Sequence, residues 1–129
     1  MELLYLDASA FVKLVLAEPE TPALLAALED AQRLVASEIL EVEVTRAIHR
    51  GGGDLALARA QLEAVRLLPL NREIRARAAE LTPPSIRSLD AIHIATALEL
   101  GPRLGALCTY DERMIVAARE AGLSAQGPA

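Results

Sequence analysis

The sequence predicts an α/β fold, a short and mostly parallel central sheet of about four to five strands flanked by helices. Short apolar segments ("ELLYL", "RLVAS", "LLPL", "GALC") alternate with helical stretches, the pattern of strands that pair in parallel through crossover helices. Turn clusters such as "EPETP", "RGGGD" and "TPPS" separate them. The chain of 129 residues is the size of one compact unit, so no second domain is expected.

The elements follow in order. Residues 2–7 read as a buried strand ending on Asp7, and 9–17 as an apolar helix for which Ser9 is the better cap. A second helix covers about 21–30 and a short strand about 33–36. Ser37 is placed to cap a helix running to Arg50, and Asp54 one covering about 54–66. "LLPL" at 67–70 reads as a strand and the following segment as a helix capped by Asn71. Ser88 caps a long helix to Leu100, a strand spans about 103–108, a helix covers 111–121, and "LSAQ" offers a last edge strand.

Composition narrows the function. Mean hydropathy is +0.29, yet no apolar run approaches the roughly 20 residues of a membrane span. The N-terminus lacks the basic segment of a secretory signal, and the single cysteine, Cys108, suits a reducing compartment; a cytoplasmic location is expected. The net charge of −5 argues against binding nucleic acid mainly through counterion release. With Tyr5, Phe11 and Tyr110 the only aromatics, base stacking has little to work with. A nucleic acid would have to be met locally, through a metal. The apolar helices near 9–30 and 54–66 hold more apolar surface than a small monomer buries, which predicts a self-association face or a partner groove.

Four acids then stand out. Asp7 closes the first strand and Asp111 follows the "GALC" strand, so both belong to the carboxyl edge of a parallel sheet, where such folds bind ligands. Asp111 alone is also a plausible helix cap, and Asp90, in the first turn of an apolar helix, also complements the helix dipole. Glu43 lies between Ile39, Leu40 and Ala47 on an apolar stripe, whereas Glu41 faces the solvated side. The only lysine is Lys13, so clustered carboxylates would repel unless a divalent cation neutralised them. Oxygen-only ligands select Mg²⁺ or Mn²⁺, and that chemistry suits phosphodiester hydrolysis. Arg46 and Arg50 are placed either to contact phosphate or to solvate the helix end.

The stretches "YLDASAFVKL", "SEILEVEVTRAI", "SLDAIHIATAL" and "LCTYDERM" resemble the four acidic motifs of the PIN-domain nucleases, most closely the VapC-type toxins of toxin–antitoxin pairs. The resemblance spans nearly the whole chain. It implies a single PIN-like domain over 1–129 and a Mg²⁺- or Mn²⁺-dependent ribonuclease. An RNA substrate, a homodimer and a cognate antitoxin are implied with it. It assigns Asp7, Glu43, Asp90 and Asp111 as the acidic quartet, with Asp7, Asp90 and Asp111 on the metal and Ser9 and Thr109 in support. Glu112 directly follows Asp111, and the helix-start position favours Asp111 as the site residue.

Other readings carry less. No G-x-S-x-G elbow supports a Ser9–His93–acid hydrolase, and neither histidine has a partner at zinc-helix spacing. His93 is expected as a packed residue with a satisfied ring nitrogen, and Cys108 as a small core residue. A phosphoaspartyl protein, of the receiver or haloacid-dehalogenase type, needs a late lysine that this chain lacks. A catalytically silent interaction subunit of the same fold would have no physical reason to keep four semi-buried acids.

Overall fold

The first strand, β1 (Leu3–Leu6), is buried on both faces, which is why it is continuously apolar instead of alternating. Its side chains divide between two cores. Leu4 and Leu6 pack with Phe11, Leu40, Val44 and Leu62 on one face, whereas Leu3 and Tyr5 pack with Ile94, Leu107 and Met114 on the other. The computed structural model describes residues 2–129. In it, β2 (Arg33–Ser37), β3 (Val65–Leu68), β4 (Leu104–Cys108) and β5 (Ala125–Gln126) join β1 in one sheet of order β3-β2-β1-β4-β5. Every pairing is parallel.

Helices α1 (Ala8–Val12), α3 (Ile39–Gly51) and α4 (Leu55–Leu62) line the first core; α3 contributes Leu40, Val44 and Ile48, one residue per turn. The second core is lined by α6 (Ser88–Glu99) and α7 (Glu112–Glu120), with α5 (Arg72–Glu80) packed on α6. The remaining helix, α2 (Thr21–Glu29), lies between α1 and β2 in the chain and buries Leu24. Among the described residues no helix is long and apolar enough to cross a membrane. The chain steps outward from β1 through β2 to β3, then returns to the other side of β1 for β4 and β5. Strand order therefore reverses beside β1, and the crevice at the carboxyl ends of β1 and β4 is the topological switch point where open parallel sheets bind ligands.

Several boundaries differ from the sequence expectation. The helix expected over 9–17 is only Ala8–Val12, and its cap is Asp7, not Ser9; the Asp7 side chain accepts from the Ala10 N–H at 3.0 Å. The helix stops early because the Lys13 carbonyl accepts from the Thr21 hydroxyl (2.8 Å) while its ammonium pairs with Glu20 (3.1 Å) and Glu18 (3.4 Å). The third strand is Val65–Leu68 instead of 67–70, and α4 ends at Leu62 instead of about 66. Pro69 has no N–H to give a ladder, so pairing moves toward the N-terminus, where β-branched Val65 is buried. Ser37 lies in β2, its Oγ accepting from the Ile39 N–H at the start of α3 (3.3 Å), and Ser88 is the first residue of α6; the cap positions fall on Glu38 and Arg87, whose own side chains make no cap bond. Asp54 and Asn71 cap as expected, accepting from Leu57 N (3.2 Å) and Ile74 N (2.9 Å).

Candidate active site

Two hydroxyls stitch the turns after β1 and β4 together around Asp7, which is 5% exposed. Ser9 Oγ donates to Asp7 Oδ1 at 2.7 Å and accepts from the Tyr110 N–H at 2.8 Å. Thr109 Oγ1 donates to Asp7 Oδ2 and accepts from the Asp111 N–H at 3.2 Å. With Ala10 N–H, three donors hold the Asp7 carboxylate. Burial still pushes its pKa above the ordinary range, against the lowering effect of Thr109, Ser9 and Ala10. A buried carboxylate kept rigid and short of positive charge is a poor structural element and a good hard ligand.

Asp90 and Asp111 flank it. Asp111 caps α7, accepting from the Arg113 N–H at 2.9 Å, the cap role its position also offered. Asp90, in the first turn of α6, is held above the usual carboxylate range first by burial and next by the charge of Asp111. Asp7 adds to that effect, while Arg87 and His93 partly offset it. Asp111 and Asp7 thus both act on Asp90 at the switch point. Lys13 does not relieve it, being paired with Glu18 and Glu20 and stacked 4.7 Å above the Tyr110 ring centre.

Among the described residues, no three Asp, Glu, His or Cys side chains already converge as a metal cage. The donor set fits a divalent ion nonetheless: it is oxygen-only, Asp7 keeps acceptor capacity beyond its three bonds, and Asp111 keeps a second carboxylate oxygen beside its one cap bond.

Glu43 reaches the same end of the sheet from α3, where its Oε1 lies 2.7 Å from His93 Nε2. Both His93 ring nitrogens are bonded, Nδ1 to the Tyr5 hydroxyl at 2.6 Å, so the histidine is packed and satisfied as expected. Sequence reasoning did not connect it to the site. The one trace in the sequence is that His93 stands three residues after Asp90 on a helix, a spacing that shares a face. Arg46 and Arg50 are exposed and rim a groove of about 700 Å³ that also borders Ser9 and Glu43. Glu112 is exposed and borders, with Asp90 and Arg113, a second hollow of about 350 Å³. Cys108 is a core residue, its thiol pushed up to about 11 by burial.

The PIN domain family model matches residues 4–120. Ribonuclease VapC46 of Mycobacterium tuberculosis is 41% identical over 129 residues, covering 99% of each chain. The fold is similar to a crystal structure of VapBC2 from Rickettsia felis bound to a DNA fragment from their promoter (TM-score 0.73, 13% identity, 98% of this chain and 99% of that one). It is also similar to that of M. tuberculosis VapC20, described as a Sarcin-Ricin loop cleaving toxin (TM-score 0.72, 14% identity, 97% of this chain and 99% of that one). With a full-length relative at this identity and a family match over its sheet and acidic motifs, the chain belongs to the PIN domain family and, within it, to the VapC ribonucleases.

Proposed function

We propose that the chain is a divalent-metal-dependent endoribonuclease, the toxin of a toxin–antitoxin pair, acting in the cytoplasm as a homodimer restrained by its antitoxin. The observation that carries the reading is the buried Asp7 carboxylate, clamped by Ser9 and Thr109 and acting, with Asp111, on Asp90. Family membership and the ribonuclease name of the VapC46 relative support RNA as the substrate. The toxin–antitoxin context of the structural relatives supports the antitoxin.

Asp7, Asp90 and Asp111 would hold Mg²⁺ or Mn²⁺, which when bound supplies an acidified water and charge neutralisation at the scissile phosphate. The chain's own residues do the rest. Ser9 and Thr109 keep Asp7 in one rotamer, so a ligand oxygen is presented without reorganisation. Arg46 and Arg50 grip backbone phosphates along the groove and align the strand against the acids. Glu43, with Oε1 engaged by His93, offers Oε2 to accept a proton from the attacking water. Leu25 on α2 (54% exposed) and Leu57 on α4 (40%) are large apolar side chains left for a protein partner.

A phosphoaspartyl mechanism fits less well, because Asp7 is buried with both oxygens engaged and Lys13 is committed to Glu18 and Glu20. Acetyl phosphate is therefore expected to leave Asp7 unlabelled. The test of the main reading is cleavage of a structured RNA panel with Mn²⁺. Wild type should cut, and Asp7→Ala and Asp90→Ala should not while remaining folded; full cleavage by either variant contradicts it. A concentration-independent monomer by sedimentation, with no association on adding the antitoxin, contradicts the partner assignment.

A further inference from the structure

Tyr5, His93 and Glu43 come from β1, α6 and α3, elements far apart in the chain, yet they form one hydrogen-bonded line. Tyr5 is fully buried and His93 is 1% exposed, so water does not compete for these bonds. The direction of the line can be worked out proton by proton. The Ser37 N–H donates to the Tyr5 hydroxyl oxygen at 3.0 Å, so the hydroxyl is already an acceptor there. Of its two hydrogen-bond partners only His93 Nδ1, at 2.6 Å, can accept, so its one proton points there. A ring that accepts at Nδ1 carries its hydrogen on Nε2, and Nε2 is the atom 2.7 Å from Glu43 Oε1.

Glu43 has a need for such a partner. Its side chain is 18% exposed, and among the described residues its one side-chain hydrogen bond is to this histidine. A glutamate at that position can adopt several rotamers, of which the Nε2–H selects one. We infer that His93 is a positioning residue: Tyr5 fixes its tautomer, and its Nε2–H orients the Glu43 carboxylate at the acidic site. The inference rests on the reading of that site as the nuclease centre. The backbone of β2 is the anchor, because the line begins at the Ser37 amide.

Two measurements test it. Nitrogen-15 NMR of the metal-free wild type at neutral pH should show His93 as a neutral ring protonated on Nε2, and Tyr5→Phe should release it into a mixture of tautomers. A wild-type ring protonated on Nδ1, or an imidazolium, overturns the inference whatever the activity. In RNA cleavage, His93→Leu should lower kcat about 10–100-fold with KM unchanged, the scale seen for partners that orient a site ligand. His93→Gln, whose amide N–H can stand in for Nε2–H, should recover part of that loss. Adding His93→Leu to Glu43→Ala should cost nothing further. An equal loss in both backgrounds makes His93 a packing residue and overturns the inference while leaving the nuclease reading intact. Wild-type cleavage by Glu43→Ala removes Glu43 from the site, and both its assignment there and the inference fall.

Discussion

Replacing Asp7 by Asn changes charge and little else. The Asn carbonyl oxygen can keep the bonds from Ala10 N–H and Ser9, and its amide can donate to Thr109 Oγ1. Thr109 can then turn its proton to Ser9 Oγ, 3.3 Å away. What disappears is a carboxylate at 5% exposure whose desolvation outweighs the three bonds it accepts. The metal-free variant should therefore be more stable than wild type by about 1 kcal/mol, the ordinary scale of a single-site effect. For a domain of 129 residues that raises Tm by about 3–5 °C. The pH dependence has a definite sign. Because the folded-state pKa of Asp7 is raised, the folded protein retains a proton that the unfolded chain has released, so metal-free stability falls as pH climbs from the usual carboxylate range through that value. The Asn variant should lose this slope. Mn²⁺ at 100 times its Kd would add about 2.7 kcal/mol to wild type and nothing comparable to the variant, reversing their order. Thermal unfolding in EDTA and in Mn²⁺, beside RNA cleavage, reads all of this. A variant that is less stable in EDTA, or that keeps the Mn²⁺ shift and cleaves RNA, refutes the reasoning.

Three other perturbations separate the site from its scaffold. Thr109→Val deletes the donor to Asp7 and the acceptor of the Asp111 N–H; it should destabilise by about 1–3 kcal/mol, read by urea unfolding, and reduce cleavage at least about tenfold. Arg46→Ala and Arg50→Ala, both at exposed positions, should change stability by less than about 0.5 kcal/mol. Each should weaken RNA binding and lower its salt slope by about 1 when titrated by fluorescence anisotropy. Leu6→Ala, at a fully buried position beside Phe11 and Leu40, should cost about 2–5 kcal/mol by urea unfolding, with cleavage per folded molecule retained.

The alternation of apolar strands and helices was legible because each strand buries apolar residues and is bounded by its own turn signals; the five strands and seven α-helices among the described residues fall where that pattern put them, with ends differing by up to five residues. The errors lie where tertiary contacts override local chemistry. Ser9 is a good cap in isolation, but in the fold its hydroxyl is spent between Asp7 and Tyr110, leaving Asp7 to cap α1. The end of α1 depends on Thr21 and Glu20, which a local reading does not see. The acids were legible because a carboxylate at a strand end or on an apolar stripe is costly without a partner. The Tyr5–His93–Glu43 line was not, since a histidine with satisfied nitrogens leaves no trace in spacing beyond a shared helix face.

The most direct test is anomalous diffraction from crystals grown with Mn²⁺. Bound manganese should give its strongest peak in the crevice beyond the carboxyl ends of β1 and β4, within ligand distance of oxygens of Asp7, Asp90 and Asp111. A protein that cleaves RNA in the same buffer yet binds manganese nowhere near those three side chains would contradict the account.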